Sequence, residues 1–304
     1  MNPRASIAAA LLCAGCASTV TWQQDLPQAL AASRQSHQDL VVYFALPGRE
    51  ASDRMRASLS DPAVSAALRD GGFEAAVADG SQRAGFYSRW VGGGSEGMGI
   101  AVLDATGRVY AARPGPQDPP ELAAFLRQCA DARGQLVALR VAEAARPASP
   151  HDQYRLGCLL LQLGCRTECE PLLCSAAKAG IVDARHQLAR LLALDGNVTE
   201  ARQWLLGAPR TPAAQVTEGY VLFKERKHEA AIDVFEAALR TGQLGEDRQR
   251  ALLYLGKALH ENKQDDRAVP LLQALAAEGT GSTFEAAAVH TLGHILQPQH
   301  GHTH

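Results

Sequence analysis

The sequence predicts an α/β domain followed by an all-α array of helical-hairpin repeats, on two observations. Helix-like and strand-like segments alternate over residues 21–130, a pattern that predicts a mixed sheet with helices on both faces. From residue 150 onward the chain resembles itself at a spacing of about 34 residues, which is typical of a helical solenoid. At 304 residues the chain is long enough for two such domains.

Composition narrows the classes of function. A formal net charge of −2 and the lack of a basic patch interleaved with aromatic residues argue against a nucleic-acid binder and a polybasic membrane binder. The glycine-rich stretch 92–97 follows a helix and precedes a strand, the reverse of the order in a dinucleotide fingerprint. We therefore predict no cofactor.

The spacing of apolar residues predicts the helices and strands of the first domain, and Gly, Pro and Asp residues mark where these elements begin and end. The predicted order is α-β-α-β-α-β-β-α, with two short helices after the first strand and a hairpin formed by the last two strands. The segments are helix 27–37, strand 39–44, helices 52–59 and 61–70, strand 73–79, helix 81–90, strands 99–104 and 108–113, and helix 119–129.

This arrangement resembles the thioredoxin fold over residues 21–130. The strand DLVVYF, the helix start SDPAV and the hairpin VLDATGRV carry the resemblance. In that family a C-x-x-C motif opens the helix after the first strand, and a cis-proline precedes the third strand. The C-x-x-C would fall at Arg49 to Ser52 and the cis-proline near Met98, and this sequence has neither.

Thiol–disulfide exchange requires a thiolate, so the missing cysteines predict a redox-inactive domain. Arg49 cannot act as a nucleophile, and the Ser52 hydroxyl stays protonated near neutral pH. We interpret Ser52 as a helix cap.

The N-terminal residues 1–16 are typical of an export signal, with Arg4 before a short apolar run. The end of that run resembles a bacterial lipobox, which implies lipidation of Cys16 and a membrane-anchored or periplasmic protein. Plain secretion with cleavage near Ala17, and an apolar tail that is never processed, are the alternatives.

The second half resembles tetratricopeptide repeats, and in part the related Sel-like repeats. We predict a helical linker at 131–149, repeats at 150–297 and a histidine-rich tail at 298–304. Small residues mark the first helix of each unit, and a large residue follows in the second helix. The small residues are Gly157, Ala189, Gly219, Gly256 and Gly293.

The resemblance implies a concave groove, lined by the first helix of each hairpin, that binds an extended peptide or protein segment. The repeat register predicts a basic and aromatic groove suited to acidic segments; ordinary solvated helix residues are the alternative. The predicted lining is Tyr154, His186, Arg190, Tyr220, Phe223, Lys224, Lys257, His260, His290 and His294.

Two residue clusters predict other chemistry. Four cysteines lie close together in the sequence, at Cys158, Cys165, Cys169 and Cys174. In an oxidising compartment such a cluster favours one or two disulfides. A zinc site is the alternative, but the cluster lacks the C-x2-C spacing typical of one. At the C-terminus, His290 and His294 stand one helical turn apart, and His300, His302 and His304 follow. These imidazoles are candidate ligands for Zn, Cu or Ni.

The leading hypothesis is an exported, lipid-anchored, non-enzymatic scaffold that binds proteins through its repeats. The competing hypothesis is a periplasmic thiol oxidoreductase or isomerase that uses the cysteines of 158–174. Metal handling through the C-terminal histidines is the third hypothesis.

Overall fold

The computed structural model describes residues 20–92, 97–145, 148–245, 247–279 and 282–296. The chain forms two compact units. Of the described residues, the first unit comprises 20–87 and 97–131, and the second comprises 88–92 and those from Ala132 to Leu296.

The first unit is built on a four-stranded mixed sheet with strand order β2-β1-β3-β4. Its strands are β1 (Asp39–Ala45), β2 (Phe73–Asp79), β3 (Gly99–Leu103) and β4 (Val109–Pro114). β1 pairs in parallel with β2 and antiparallel with β3, and β3 pairs antiparallel with β4. Every residue of β1 is buried, as expected for a central strand that is apolar along almost its whole length. The predicted mixed sheet is confirmed.

Five helices accompany the sheet in sequence: α1 (Leu26–Ser36), α2 (Glu50–Leu59), α3 (Pro62–Asp70), α4 (Ala84–Trp90) and α5 (Pro119–Ala144). Aspartates cap two of them, since the Asp25 carboxylate accepts from the Gln28 amide and Asp61 accepts from Ala63. α5 is a single 26-residue helix that continues the predicted closing helix into the predicted linker.

The described part of the second unit is helical. Its helices are α6 (Pro150–Gln162), α7 (Arg166–Lys178), α8 (Val182–Leu194), α9 (Val198–Leu205), α10 (Pro212–Lys224), α11 (His228–Arg240), α12 (Asp247–Glu261), α13 (Asp265–Ala276) and α14 (Thr283–Leu296). α6 packs on α7, α8 on α9, α10 on α11, and α12 on α13, while α14 packs on both α13 and α12. This is the pairing expected of helical hairpins.

The same turn closes all four hairpins. A residue with positive φ (Gly164, Gly196, Arg226 and Lys263) precedes an amide that donates to a carbonyl five residues earlier. These bonds run from Cys165 to Leu160, Asn197 to Leu192, Lys227 to Leu222 and Gln264 to Leu259, at 2.8–3.0 Å. This hydrogen bond is typical of the Schellman motif. The chain therefore reverses direction through the same backbone conformation in all four hairpins.

Three of the small residues found in the sequence lie where the paired helices approach most closely. A Cβ at Gly157 would meet the Leu173 side chain at 2.9 Å, one at Gly219 would meet Phe235 at 2.8 Å, and one at Gly256 would meet Leu272 at 2.6 Å. Each partner stands sixteen residues beyond its glycine. A larger residue at any of these three positions would displace the facing side chain, so packing between the helices, and not backbone conformation, favours glycine there.

Gly293, the last of the series, has nothing within 4 Å of an added Cβ. This contrast gives a matched pair of substitutions. Gly256→Ala should lower the free energy of unfolding by about 1–3 kcal/mol, because the new methyl forces Leu272 to shift. Gly293→Ala should raise it by up to about 1 kcal/mol through helix propensity. Urea denaturation of both variants checks the pair, and an equal response at the two sites would contradict the close-approach explanation.

Candidate functional site

Side chains from alternate helices meet on one face of the second unit. α10 packs against both α8 and α12, so side chains of these three helices become neighbours. We call this surface the cationic-aromatic face. It consists of Arg190 on α8, Tyr220, Phe223 and Lys224 on α10, and Arg250, Tyr254 and Lys257 on α12.

Three aromatic rings form the middle of the face. The ring centroids of Tyr220 and Tyr254 lie 4.6 Å apart in an edge arrangement, and Phe223 lies 5.6 Å from Tyr254. Burial raises the pKa of both tyrosines, most strongly that of Tyr220, so both phenols stay neutral at physiological pH. Tyr220 is only 1% exposed and supports the other two rings from below, whereas Phe223 and Tyr254 are half-buried and provide the accessible apolar surface.

Two lysines stand over these rings. The Lys224 Nζ lies 5.6 Å from the Tyr220 ring centroid, and the Lys257 Nζ lies 5.5 Å from that of Tyr254. Burial lowers the pKa of Lys257, and the Lys224 charge lowers it further. Within the described ranges neither ammonium group has a carboxylate within 4.0 Å. A negative group placed between them would relieve the repulsion.

An acid–base network borders the rings. Arg190 lies 4.0 Å from the Asp247 carboxylate, which also forms an ion pair with Arg250. Burial lowers the pKa of Arg190 to about 10, and the Arg250 charge adds to that effect, so Arg190 remains protonated at neutral pH. Two cations thus share one carboxylate, and the face carries excess positive charge.

Tyr154, on α6 of the first hairpin, lies near Arg190 of the cationic-aromatic face. Burial raises its pKa, and it forms a hydrogen bond with Cys158. Tyr154 and Arg190 are close enough to interact electrostatically, as expected for neighbouring first helices of successive hairpins.

Two residues predicted to line the groove lie elsewhere. His186 is only 4% exposed and lines a cavity between α8, α9 and α10. The ring of His260 binds the Asp265 carboxylate at 2.7 Å and so belongs to the turn between α12 and α13. The repeat register did not predict that the side chain at position 186 is buried.

The predicted metal ligands are only partly described. His290 and His294 are exposed on α14, with their Nε2 atoms 3.3 Å apart, while His300, His302 and His304 lie outside the described residues. Among the residues that the structure describes, no group of three or more His, Cys, Asp or Glu side chains is arranged to hold a metal ion.

The four clustered cysteines differ from expectation. Cys158, Cys165, Cys169 and Cys174 are thiols, so the predicted disulfides are not present in the structure. Cys165 and Cys169 are buried where α6 and α7 pack, and the Cys169 Sγ donates to the Arg166 carbonyl at 3.3 Å. Burial raises the pKa of Cys165 to about 12 and that of Cys169 still higher. Such thiols are poor nucleophiles.

Residues 49–52, the predicted position of the missing C-x-x-C, form the start of α2. Arg49 is exposed and is the N-cap residue of α2, whereas Ser52 is buried inside the helix. The prediction of Ser52 as a helix cap is therefore wrong. Its Oγ accepts from the Leu46 amide at 3.0 Å and shares a hydrogen bond with the Tyr43 hydroxyl at 2.9 Å, while Tyr43 also donates to the Ser52 carbonyl.

The sequence reasoning missed Arg250 and Tyr254 on the cationic-aromatic face. Both stand on the same side of α12 as Lys257, at helical spacings of four and three residues. Tyr254 lies one helical turn before Lys257 and Arg250 lies two turns before it, so helical spacing from Lys257 is the signal that indicates both.

Neither a scan against protein-family models nor a search of the curated proteins finds a match to this chain. In the described part of the chain, no helix is both long enough and apolar enough to cross a bilayer.

Ser52→Ala should lower the free energy of unfolding by about 1–3 kcal/mol, because the buried Leu46 amide and Tyr43 hydroxyl lose a partner. The exposed Ser60, just after α2, is the matched control, and Ser60→Ala should change little. Tyr43→Phe combined with Ser52→Ala should cost less than the sum of the single changes. Denaturant unfolding of the set is the measurement; additive effects would contradict the shared hydrogen bond.

Cys165 and Cys169 should resist alkylation in the native protein, because a pKa of about 12 reduces the thiolate fraction about a thousandfold relative to the usual value near 9. Cys174, half-buried on the same helix, should react first. Mass mapping after N-ethylmaleimide treatment, with and without guanidinium, tests this. Rapid native labelling at Cys165 or Cys169 would favour the thiol oxidoreductase hypothesis.

Proposed function

We propose that this chain is a non-enzymatic binding protein whose helical repeats hold an extended acidic segment of a partner protein. The observation that carries the proposal is the pair Lys224 and Lys257. Each ammonium group stands over an aromatic ring, and neither has a carboxylate partner in the described residues. A carboxylate-bearing segment would supply the missing charge, and its apolar side chains could lie on the rings.

The arrangement of the helices supports an extended ligand. α8, α10 and α12 contribute successive parts of the cationic-aromatic face, so a segment lying across them meets Arg190, then Phe223 and Lys224, then Tyr254 and Lys257. Tetratricopeptide-type arrays, which the repeats resemble, bind segments in this manner.

Residues 21–130 fit the same proposal as a thioredoxin-like scaffold without redox chemistry. The strand order β2-β1-β3-β4, with β1 and β2 parallel, supports the likeness. Ser52 is engaged by Leu46 and Tyr43 and so is not available as a nucleophile. Buried, weakly acidic thiols in α7 argue against the oxidoreductase alternative.

Export and a lipid on Cys16 complete the proposal and place the binding protein at the cell envelope. They rest on the sequence alone, since residues 1–19 lie outside the described part.

A labelled peptide of about ten residues that alternates Glu with Phe is a suitable probe, measured by fluorescence anisotropy against a counterpart with Lys in place of Glu. The full chain should bind the acidic peptide more tightly, and added salt should weaken that binding. Lys224→Gln combined with Lys257→Gln should lower affinity by about tenfold or more, since two charge-assisted contacts are lost.

Lys178→Gln is the matched control, because Lys178 is an exposed lysine at the end of α7 and outside the face. The Lys178→Gln variant should bind the acidic peptide as tightly as the unmodified chain does. Equal binding of the two peptides, or a double variant that binds as well as the control, would overturn the proposed function.

A further inference from the structure

A cavity of about 400 Å³ lies in the second hairpin region, apart from the cationic-aromatic face. Its walls come from α8, from the end of α9 with the segment that follows, and from α10. Most of the lining is apolar, contributed by Leu205, Leu206, Pro209, Ala214, Val221 and Leu222. A volume of this size is within the range of small-molecule sites. We call it the His186 pocket.

His186 is a buried polar residue of the pocket lining, and its ring has no hydrogen-bond partner among the described residues. Its side chain is 4% exposed, and neither ring nitrogen has a hydrogen-bond partner among the described residues. Burial lowers its pKa, so the ring is a neutral imidazole with one donor and one acceptor. Buried polar groups in native proteins nearly always have partners, so an unpartnered imidazole in a cavity wall points to a group that fills the cavity.

The charges around the pocket cancel one another. Arg202 is paired with Glu225, and Arg210 with Glu218 at 3.2 Å. No guanidinium group of the lining is therefore left to attract an anion. A neutral ligand suits this balance better than a carboxylate or a phosphate.

One wall of the pocket is fixed in place by hydrogen bonds. The Arg185 guanidinium donates to the carbonyls of Trp204 and Leu206, at 3.2 and 2.8 Å. These bonds hold the end of α9 and the residues after it against α8. The cavity is thus a formed part of the fold, which reduces the cost of ordering it on binding.

We propose that the His186 pocket binds a neutral aromatic molecule that carries one hydroxyl group, a phenol. The ring lies against the leucine and valine side chains, and the hydroxyl exchanges a hydrogen bond with the His186 imidazole. This site is separate from the proposed function, because it involves none of the lysines or tyrosines of the cationic-aromatic face.

p-Cresol is the probe, titrated into the full chain by calorimetry beside toluene and 4-methylbenzoate. p-Cresol should bind about tenfold more tightly than toluene, which cannot form the hydrogen bond. It should also bind more tightly than the charged benzoate. The ¹⁵N resonances of the His186 ring should shift when p-cresol binds.

His186→Leu should reduce p-cresol affinity about tenfold and abolish the preference over toluene. Ala214→Phe should prevent binding of all three compounds by filling the cavity. His151→Leu is the matched control, because His151 is exposed on α6, and its affinity should be unchanged. Circular dichroism and thermal unfolding establish that each variant is folded.

Failure of the unmodified chain to bind p-cresol would overturn the inference, as would equal affinity for p-cresol and toluene or tighter binding of 4-methylbenzoate. An unchanged affinity in a folded His186→Leu variant would also overturn it. Should that variant not fold, the comparison of the three compounds on the unmodified chain still decides. None of these results depends on peptide binding at the other face.

Discussion

The close approach of paired helices at Gly157, Gly219 and Gly256 is the constraint on which the second unit depends. At each of these positions a side chain from the second helix occupies the space that a Cβ would need. The first helix is therefore held at a fixed depth on its partner in three hairpins. Because the same turn closes all four hairpins, the first helices emerge in equivalent orientations. That regularity brings residues of α10 and α12 into register on one face.

The cationic-aromatic face exists at some cost to stability. Lysine and arginine side chains are partly desolvated there, as the lowered pKa values of Lys257 and Arg190 show. Two cations share Asp247, and two lysines stand near each other without a carboxylate in the described region. A surface selected for stability alone would place acids between these groups. Uncompensated charge beside stiff aromatic rings is instead the arrangement expected of a binding surface, which a partner completes.

Much of the fold could be predicted from local patterns. The all-apolar strand β1, the hairpin of β3 and β4, and the repeated small residues at helix crossings each leave a periodic signal in the chain. Errors arose where a residue's environment is set by distant partners. Serine is a common helix-capping residue, but the Ser52 hydroxyl lies in the core, where it shares a hydrogen bond with the Tyr43 hydroxyl of β1. The register of α8 placed His186 on the predicted groove, yet the segment after α9 covers it. Disulfide pairing depends on distances across helices, which spacing along the chain does not give.

The Ser52 hydroxyl of the first unit and the buried thiols at α7 are both poor nucleophiles, for two different physical reasons. At the start of α2, the Ser52 hydroxyl takes part in two hydrogen bonds that stabilise the fold. In α7, burial raises the thiol pKa and so removes the thiolate on which exchange chemistry depends. Both groups stabilise packing, and their surroundings oppose the ionised or exposed state that a nucleophile requires. By contrast, Lys224, Lys257 and His186 have no partner for their polar groups among the described residues, and a bound group would lower the free energy of the protein there. The binding that we propose rests on these residues.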